Sequence, residues 1–154
     1  MKRIYFYWVI FAEIVGGLSG FLTREGMKIY ADSAVKPFLS PPAIVFPVAW
    51  TILYALMGIG AARVYASPKS PDRTKGLLMF VLQLGINFAW CFVFFMFRKY
   101  LAAFVVLVAL LISVGYMAIL FRKVDKLSGY LQVPYIFWLI FAGYLNLAVW
   151  YLNA

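Results

Sequence analysis

Three stretches of this 154-residue chain place indole, phenol and amide groups at helical spacing. Phe46, Trp50 and Tyr54 fall at i, i+4 and i+8. Gln83, Asn87, Trp90 and Phe94 follow at intervals of four, three and four, and Tyr135, Trp138, Ala142 and Leu145 at three, four and three. Each set therefore occupies one face of a helix. Aromatic walls with a few amides suit a large, flat, apolar ligand with polar edges. The same groups also serve to pack membrane helices or to anchor them at the interface. Three separate helices carrying the pattern favour a shared cavity. Glu13 is the one carboxylate inside an apolar run. An acid at membrane depth suits a proton relay or a cation site, or a neutral carboxyl hydrogen-bonded to a neighbouring helix.

Other chemistries are excluded by composition. Histidine is absent, which removes the familiar zinc and haem ligand sets and the Ser-His-Asp triad. No metal site and no resident cofactor are expected. Cys91 is the single cysteine and cannot form an internal disulfide. The net charge of +9 comes from 14 Lys and Arg against 5 Asp and Glu. These cations fall almost wholly between apolar runs, as membrane flanks do, and do not form a nucleic-acid surface.

The elements that must position these groups are five apolar runs, at residues 4–22, 43–62, 77–97, 100–121 and 130–152. The last four hold no charged residue. At 1.5 Å per residue each is about 28–35 Å long, enough for a bilayer core of about 30 Å. A lipid-facing backbone must satisfy its own hydrogen bonds, so the runs are expected to be helices. The alternating pattern of a membrane β-barrel is missing. The expected fold is an all-α membrane protein, one bundle of five transmembrane helices spanning residues 1–154. Lys2 and Arg3 imitate the start of a signal peptide, but the run's length, Glu13 and the lack of a small-x-small site favour a retained helix.

The connections are unequal. Arg98 and Lys99 alone separate the third and fourth runs, which predicts a tight hairpin. Residues 67–76 and 122–129 form the second and fourth connections. The first, residues 23–42, is long and holds Pro37, Pro41 and Pro42 beside Met27, Ile29, Tyr30, Val35, Phe38 and Leu39. Such a loop is expected to pack on the helix ends as a lid. Pro47 lies in a first turn, where it is tolerated. Pro134 predicts a kink or a late helix start beside Trp138. Gly16 with Gly20, Gly58 with Ala62, and Gly85 with Ala89 are small-residue pairs that permit close helix approach or a homodimer. Lys2, Arg3, Arg63, Lys69, Arg73, Lys75, Arg122, Lys123 and Lys126 fall on one side of the membrane, against Arg24, Lys28, Lys36, Arg98 and Lys99 on the other. That bias places the N-terminus in the cytoplasm.

Four runs of residues then resemble a known family. Lys36-Pro37-Phe38-Leu39-Ser40-Pro41-Pro42, followed by Val45-Phe46-Pro47-Val48-Ala49-Trp50-Thr51-Ile52-Leu53-Tyr54, is similar to the first loop and second helix of the translocator proteins. These are also called tryptophan-rich sensory proteins or peripheral benzodiazepine receptors. Gln83-Leu84-x-x-Asn87-x-x-Trp90 with Phe94 and Phe95 resembles the third helix. Val133-Pro134-Tyr135-x-x-Trp138, with Leu145-Asn146 and Trp150, resembles the fifth. The similarity covers essentially the whole chain in order.

The resemblance implies a five-helix bundle whose pocket lies under the first loop. It implies binding of porphyrins and benzodiazepine-like or isoquinoline ligands, and often a dimer. Carried over by position, the ligand residues would be Trp50, Tyr54, Asn87, Trp90, Trp138, Ala142 and Leu145. In bacterial members the tryptophans matching Trp50 and Trp138 are implicated in light-dependent porphyrin breakdown, which makes these two the only catalytic candidates. Two departures stand out. Leu39 occupies the place of the loop tryptophan, and Leu147 and Tyr151 stand where the animal sterol-recognition stretch needs Tyr and Arg. Val114-x-Tyr116-x5-Arg122 fits only a loose sterol pattern.

The sequence thus supports a receptor or transporter for tetrapyrroles and similar planar hydrophobic molecules in a bacterial cell membrane. Light-driven porphyrin degradation is the enzymatic alternative. Proton-coupled export is the third, because Ala12-Glu13-Ile14-Val15-Gly16 locally resembles the first helix of small multidrug transporters.

Overall fold

The computed structural model describes residues 2–154. In chain order it contains α1 (Lys2–Leu22), α2 (Arg24–Ser33), α3 (Val45–Tyr65) and α4 (Pro71–Cys91). A π-helical turn (Phe92–Met96) extends α4. α5 (Tyr100–Val124), α6 (Lys126–Tyr130) and α7 (Val133–Asn153) follow. Five stretches are long and apolar enough to cross a membrane, and among the described residues there is no strand. α1, α3, α4 with its π turn, α5, and α6 with α7 supply them.

The helices run further than the apolar runs, because local capping outweighs hydropathy at the ends. α4 starts at Pro71, where the Ser70 hydroxyl accepts the Arg73 N–H at 3.1 Å and proline sits in the first turn. Asp72, Arg73 and Lys75 are therefore helical. α5 continues through Arg122 and Lys123, cations that suit a helix C-terminus. The fourth connection is largely the short α6, whose N-cap Asp125 accepts the Ser128 N–H at 3.1 Å and hydroxyl at 2.7 Å. Pro134 gives the late start foreseen for it, since α7 begins at Val133 after a turn at Leu131 and Gln132.

The long first connection is half helix. α2 lays Gly26 directly on the Phe95 carbonyl of the π turn. Tyr30 packs its ring 5.4 Å from Phe94 and 5.7 Å from Phe95. Burial there pushes the Tyr30 hydroxyl up to about 12, so it stays neutral in use. The Lys36 ammonium closes the end of α2 by donating to the carbonyls of Tyr30, Ala31 and Ala34 at 3.2, 2.9 and 3.2 Å. The segment is then strapped to the end of α7. Asn153 Oδ1 accepts the Val35 N–H at 2.9 Å, its Nδ2 donates to the Val35 carbonyl at 2.8 Å, and the Tyr144 hydroxyl donates to the Phe38 carbonyl. Leu39 adopts a left-handed φ of 72° at the tip. Phe38 and Leu39 remain 82% and 63% exposed, so the tip does not roof the aromatic groups below it.

Around the bundle the helices are ordered α3, α1, α4, α5, α7. α1 and α3 approach closely because Gly58 has no side chain. A Cβ there would meet Val9 Cα at 2.7 Å and the Trp8 carbonyl oxygen at 3.0 Å. Gly58 and the fully buried Ala62 thus serve contacts inside the chain, whereas Gly85 and Ala89 face outward. α3 and α7 are joined at one end through α6. Gln132 packs on Gly60, and the Arg63 guanidinium grips Asp125 with a two-pronged contact, Nε to Oδ2 at 2.7 Å and Nη2 to Oδ1 at 3.2 Å.

The Arg63 guanidinium beside Asp125, with the two Ser128 donors, holds the Asp125 carboxyl at about 2, below its ordinary 3.8. A depressed folded-state value means the contribution is complete above about pH 4 and lost as pH falls toward about 2. Asp125→Asn should cost about 1 kcal/mol at pH 7, from the lost ion pair and weakened cap. Thermal unfolding in detergent checks it: the deficit at pH 7 should shrink between pH 4 and pH 2.

Candidate functional site

Water is absent at the middle of a membrane, so a buried polar side chain there must find its partner on another helix. Tyr135 of α7 is 1% exposed. Its hydroxyl donates to Gln83 Oε1 at 2.7 Å and accepts from Asn87 Nδ2 at 3.0 Å. Gln83 and Asn87 lie one turn apart on α4, both buried, and the Gln83 amide reaches Met57 Sδ of α3 at 3.4 Å. Three helices are tied at one point.

The aromatic groups assemble on this knot. Trp50 lies 6.1 Å from Tyr135 and 6.3 Å from Trp138, nearly perpendicular to both, and 5.6 Å from Tyr54. Perpendicular rings place a positive edge on a negative face, which favours these pairs beyond the area they bury. Phe46 closes on Trp138 at 5.9 Å, and Phe141 follows at 5.7 Å. The Tyr54 ring rests directly on Gly16 of α1, where any larger side chain would collide with it. Gly16 thus shapes the site.

Of the seven residues expected at the site, Trp50, Tyr54 and Trp138 are joined through ring contacts. Asn87 joins through Tyr135, and Ala142 packs on the same core. Leu145 is buried one turn further along α7. Trp90 bridges to a second aromatic nest. It stacks on Phe94 at 5.0 Å, and Phe94 packs on Tyr100 and Tyr30. Its indole N–H is committed to Asn146 Oδ1 at 2.9 Å, while Asn146 Nδ2 donates to the Tyr100 carbonyl at 2.8 Å. Trp90 can therefore offer a ring face to a ligand, but its donor holds α4 to α7.

Beside these rings lies a groove of about 490 Å³ between α3 and α7. Ala49, Ile52 and Leu53 form one wall, and Pro134, Phe137, Trp138 and Phe141 the other. Among these only Trp138 was expected at the site. The rest are apolar residues whose role depends on a gap between helices. Tyr135 lay on an expected face without being counted as a site residue. Its signal was the pairing of one phenol with two amides a helical turn apart, in a medium without other partners. Glu13 sits one turn before Gly16 on α1, half-buried, and forms no ion pair among the described residues. It borders the Tyr54 side of the site and is not part of the ring cluster.

Comparison with known proteins shows the family. The TspO/MBR family model matches residues 7–152. The chain belongs to the TspO/MBR family. It is 42% identical over 138 residues to Protein CrtK of Rhodobacter capsulatus, covering 89% of this chain and 85% of that protein. It is 35% identical over 140 residues to the tryptophan-rich protein TspO of Chlorobaculum tepidum, covering 90% and 89%. The translocator protein of Ovis aries is 32% identical over 139 residues, covering 88% and 82%. The fold expected of a TspO/MBR protein is the one seen: five helices long and apolar enough to span a membrane, with the aromatic and amide faces of α3, α4 and α7 turned toward one another.

Tyr135→Phe keeps the ring and deletes the hydroxyl, leaving the Gln83 and Asn87 amides unpaired in a dry interior. It should destabilise the protein by about 1–3 kcal/mol, seen as a lower midpoint of thermal unfolding in detergent. A double variant with Gln83→Leu should recover part of the loss, because one stranded amide is removed with the hydroxyl.

Proposed function

We propose that this TspO/MBR protein is a membrane receptor or transporter for porphyrins and similar planar hydrophobic molecules. The ligand site comprises Trp50, Tyr54, Asn87, Trp90, Trp138, Ala142 and Leu145. The observation that carries the proposal is the cluster of Trp50, Tyr54, Tyr135 and Trp138, facing rings from two helices beside a groove at membrane depth. Flat apolar molecules are held by such faces, and the groove's size falls in the range of about 300–1,000 Å³ that small-molecule sites occupy. The ligand class itself comes from the family resemblance.

Light-dependent degradation is the second reading, favoured by the perpendicular contact of Trp50 and Trp138 at 6.3 Å. Two electron-rich indoles would then stand beside one photoexcited macrocycle, with dioxygen as the oxidant. We place the protein in a bacterial cell membrane with a cytoplasmic N-terminus, following the distribution of Lys and Arg. A second copy packing through small residues would have the outward Gly85 and Ala89 available to it.

Protoporphyrin added to the protein in detergent should quench tryptophan fluorescence saturably. Trp50→Phe and Trp138→Phe should each weaken binding by about tenfold, the scale of one lost aromatic contact of about 1.4 kcal/mol. Unaltered titrations in both variants would remove these residues from the site. Under illumination, loss of the porphyrin absorption band faster than in detergent alone supports degradation. An equal rate rejects it.

A further inference from the structure

The ring of helices is closed at every step except one. Adjacent helices approach closely from α3 through α1, α4 and α5 to α7, but α7 and α3 do not meet in the same way. They are pinned at the α6 end, by Gln132 against Gly60 and Arg63 on Asp125. Beyond that pin their backbones part and only rings bridge them, Trp138 meeting Trp50 and Phe46, and outside those rings the groove between Ala49, Ile52 and Phe137 opens sideways. Ile52 and Phe137 are 55% and 68% exposed, and both belong to membrane-spanning stretches. Their exposed surface faces acyl chains. Trp138 belongs to the groove wall and to the Trp50 cluster at once. Its indole N–H is buried and lacks an acceptor among the described residues. An unpaired donor in a dry interior is costly, and an arriving acceptor would relieve that cost.

We propose that the α3/α7 groove is a lateral port. A planar apolar ligand bearing a hydrogen-bond acceptor at its edge enters from the bilayer through it and is received by the Trp138 N–H. This rests on the ligand reading above and adds the route and the donor. A ligand of this class partitions into lipid, so its concentration beside the groove far exceeds that in water. The route also leaves the strap between Val35 and Asn153 undisturbed during binding.

The test is stopped-flow quenching by protoporphyrin preloaded in donor vesicles, with the protein in nanodiscs. Ala49→Trp narrows the port and should slow association by about tenfold or more, within the range that substitutions reach, while the final quenching is retained. Phe137→Ala widens it and should speed association. Ile140→Trp, which faces the separate α5/α7 groove, should leave the rate unchanged. Asn153→Ala, which frees the first connection, should also leave it unchanged. Equal rates in Ala49→Trp and the unsubstituted protein, with a normal titration, overturn the port alone. Equal slowing by Ile140→Trp does the same, and acceleration by Asn153→Ala assigns entry to the loop instead. No saturable quenching in the unsubstituted protein overturns the ligand reading and the port with it.

Discussion

A hydrocarbon solvent offers no hydrogen bonds, and that constraint decides where each polar group of this chain can sit. Backbone groups meet it within their own helices, which is why five apolar runs become five helices. Side chains meet it only by crossing to another helix, and few do so. The Tyr135 hydroxyl between Gln83 and Asn87, and the Trp90 indole on Asn146, join α4 to α7 at two depths. Between lipid-like surfaces there is little hydrophobic force to select one packing over another. These directional contacts, together with the glycine-permitted approach of α1 to α3, therefore select it.

The same contacts arrange the rings. Tyr135 is held from α4, Trp50 packs on it from α3, and Trp138 of α7 packs on Trp50. Gly16 yields space to Tyr54 from the fourth side. Residues of one type are thus put to different uses in the fold. Trp90 spends its N–H on the fold, whereas Trp138 keeps its N–H unspent. Both tryptophans sit on an aromatic helix face, and nothing in their spacing separates them.

Outside the membrane a different balance holds. The Arg63–Asp125 fork and the Asp125 cap fasten α3 to the start of α6, so the bundle is firm at that end. At the other end the first connection is fastened by neutral bonds to Asn153 and Tyr144 and by the Lys36 clasp on α2. Its Phe38–Leu39 tip stays exposed.

The sequence by itself determined the five spans, the helical faces of Trp50, Asn87, Trp90 and Trp138, a break in the helix at Pro134 and the family. All of these follow from hydropathy, helical period or motif, which depend on neighbours along the chain. It could not place the helix ends, because Ser70 and Asp125 act through capping geometry that hydropathy does not see. Nor could it distinguish Gly58, used against α1, from Gly85, turned outward. Tertiary structure alone decided which rings touch, which buried indole N–H lacks an acceptor among the described residues, and that a groove opens between α3 and α7. Those outcomes depend on the order of helices around the bundle and on how closely each pair approaches. In a bilayer nearly every apolar face is equally content against lipid or protein, so the pattern of apolar residues leaves that order open.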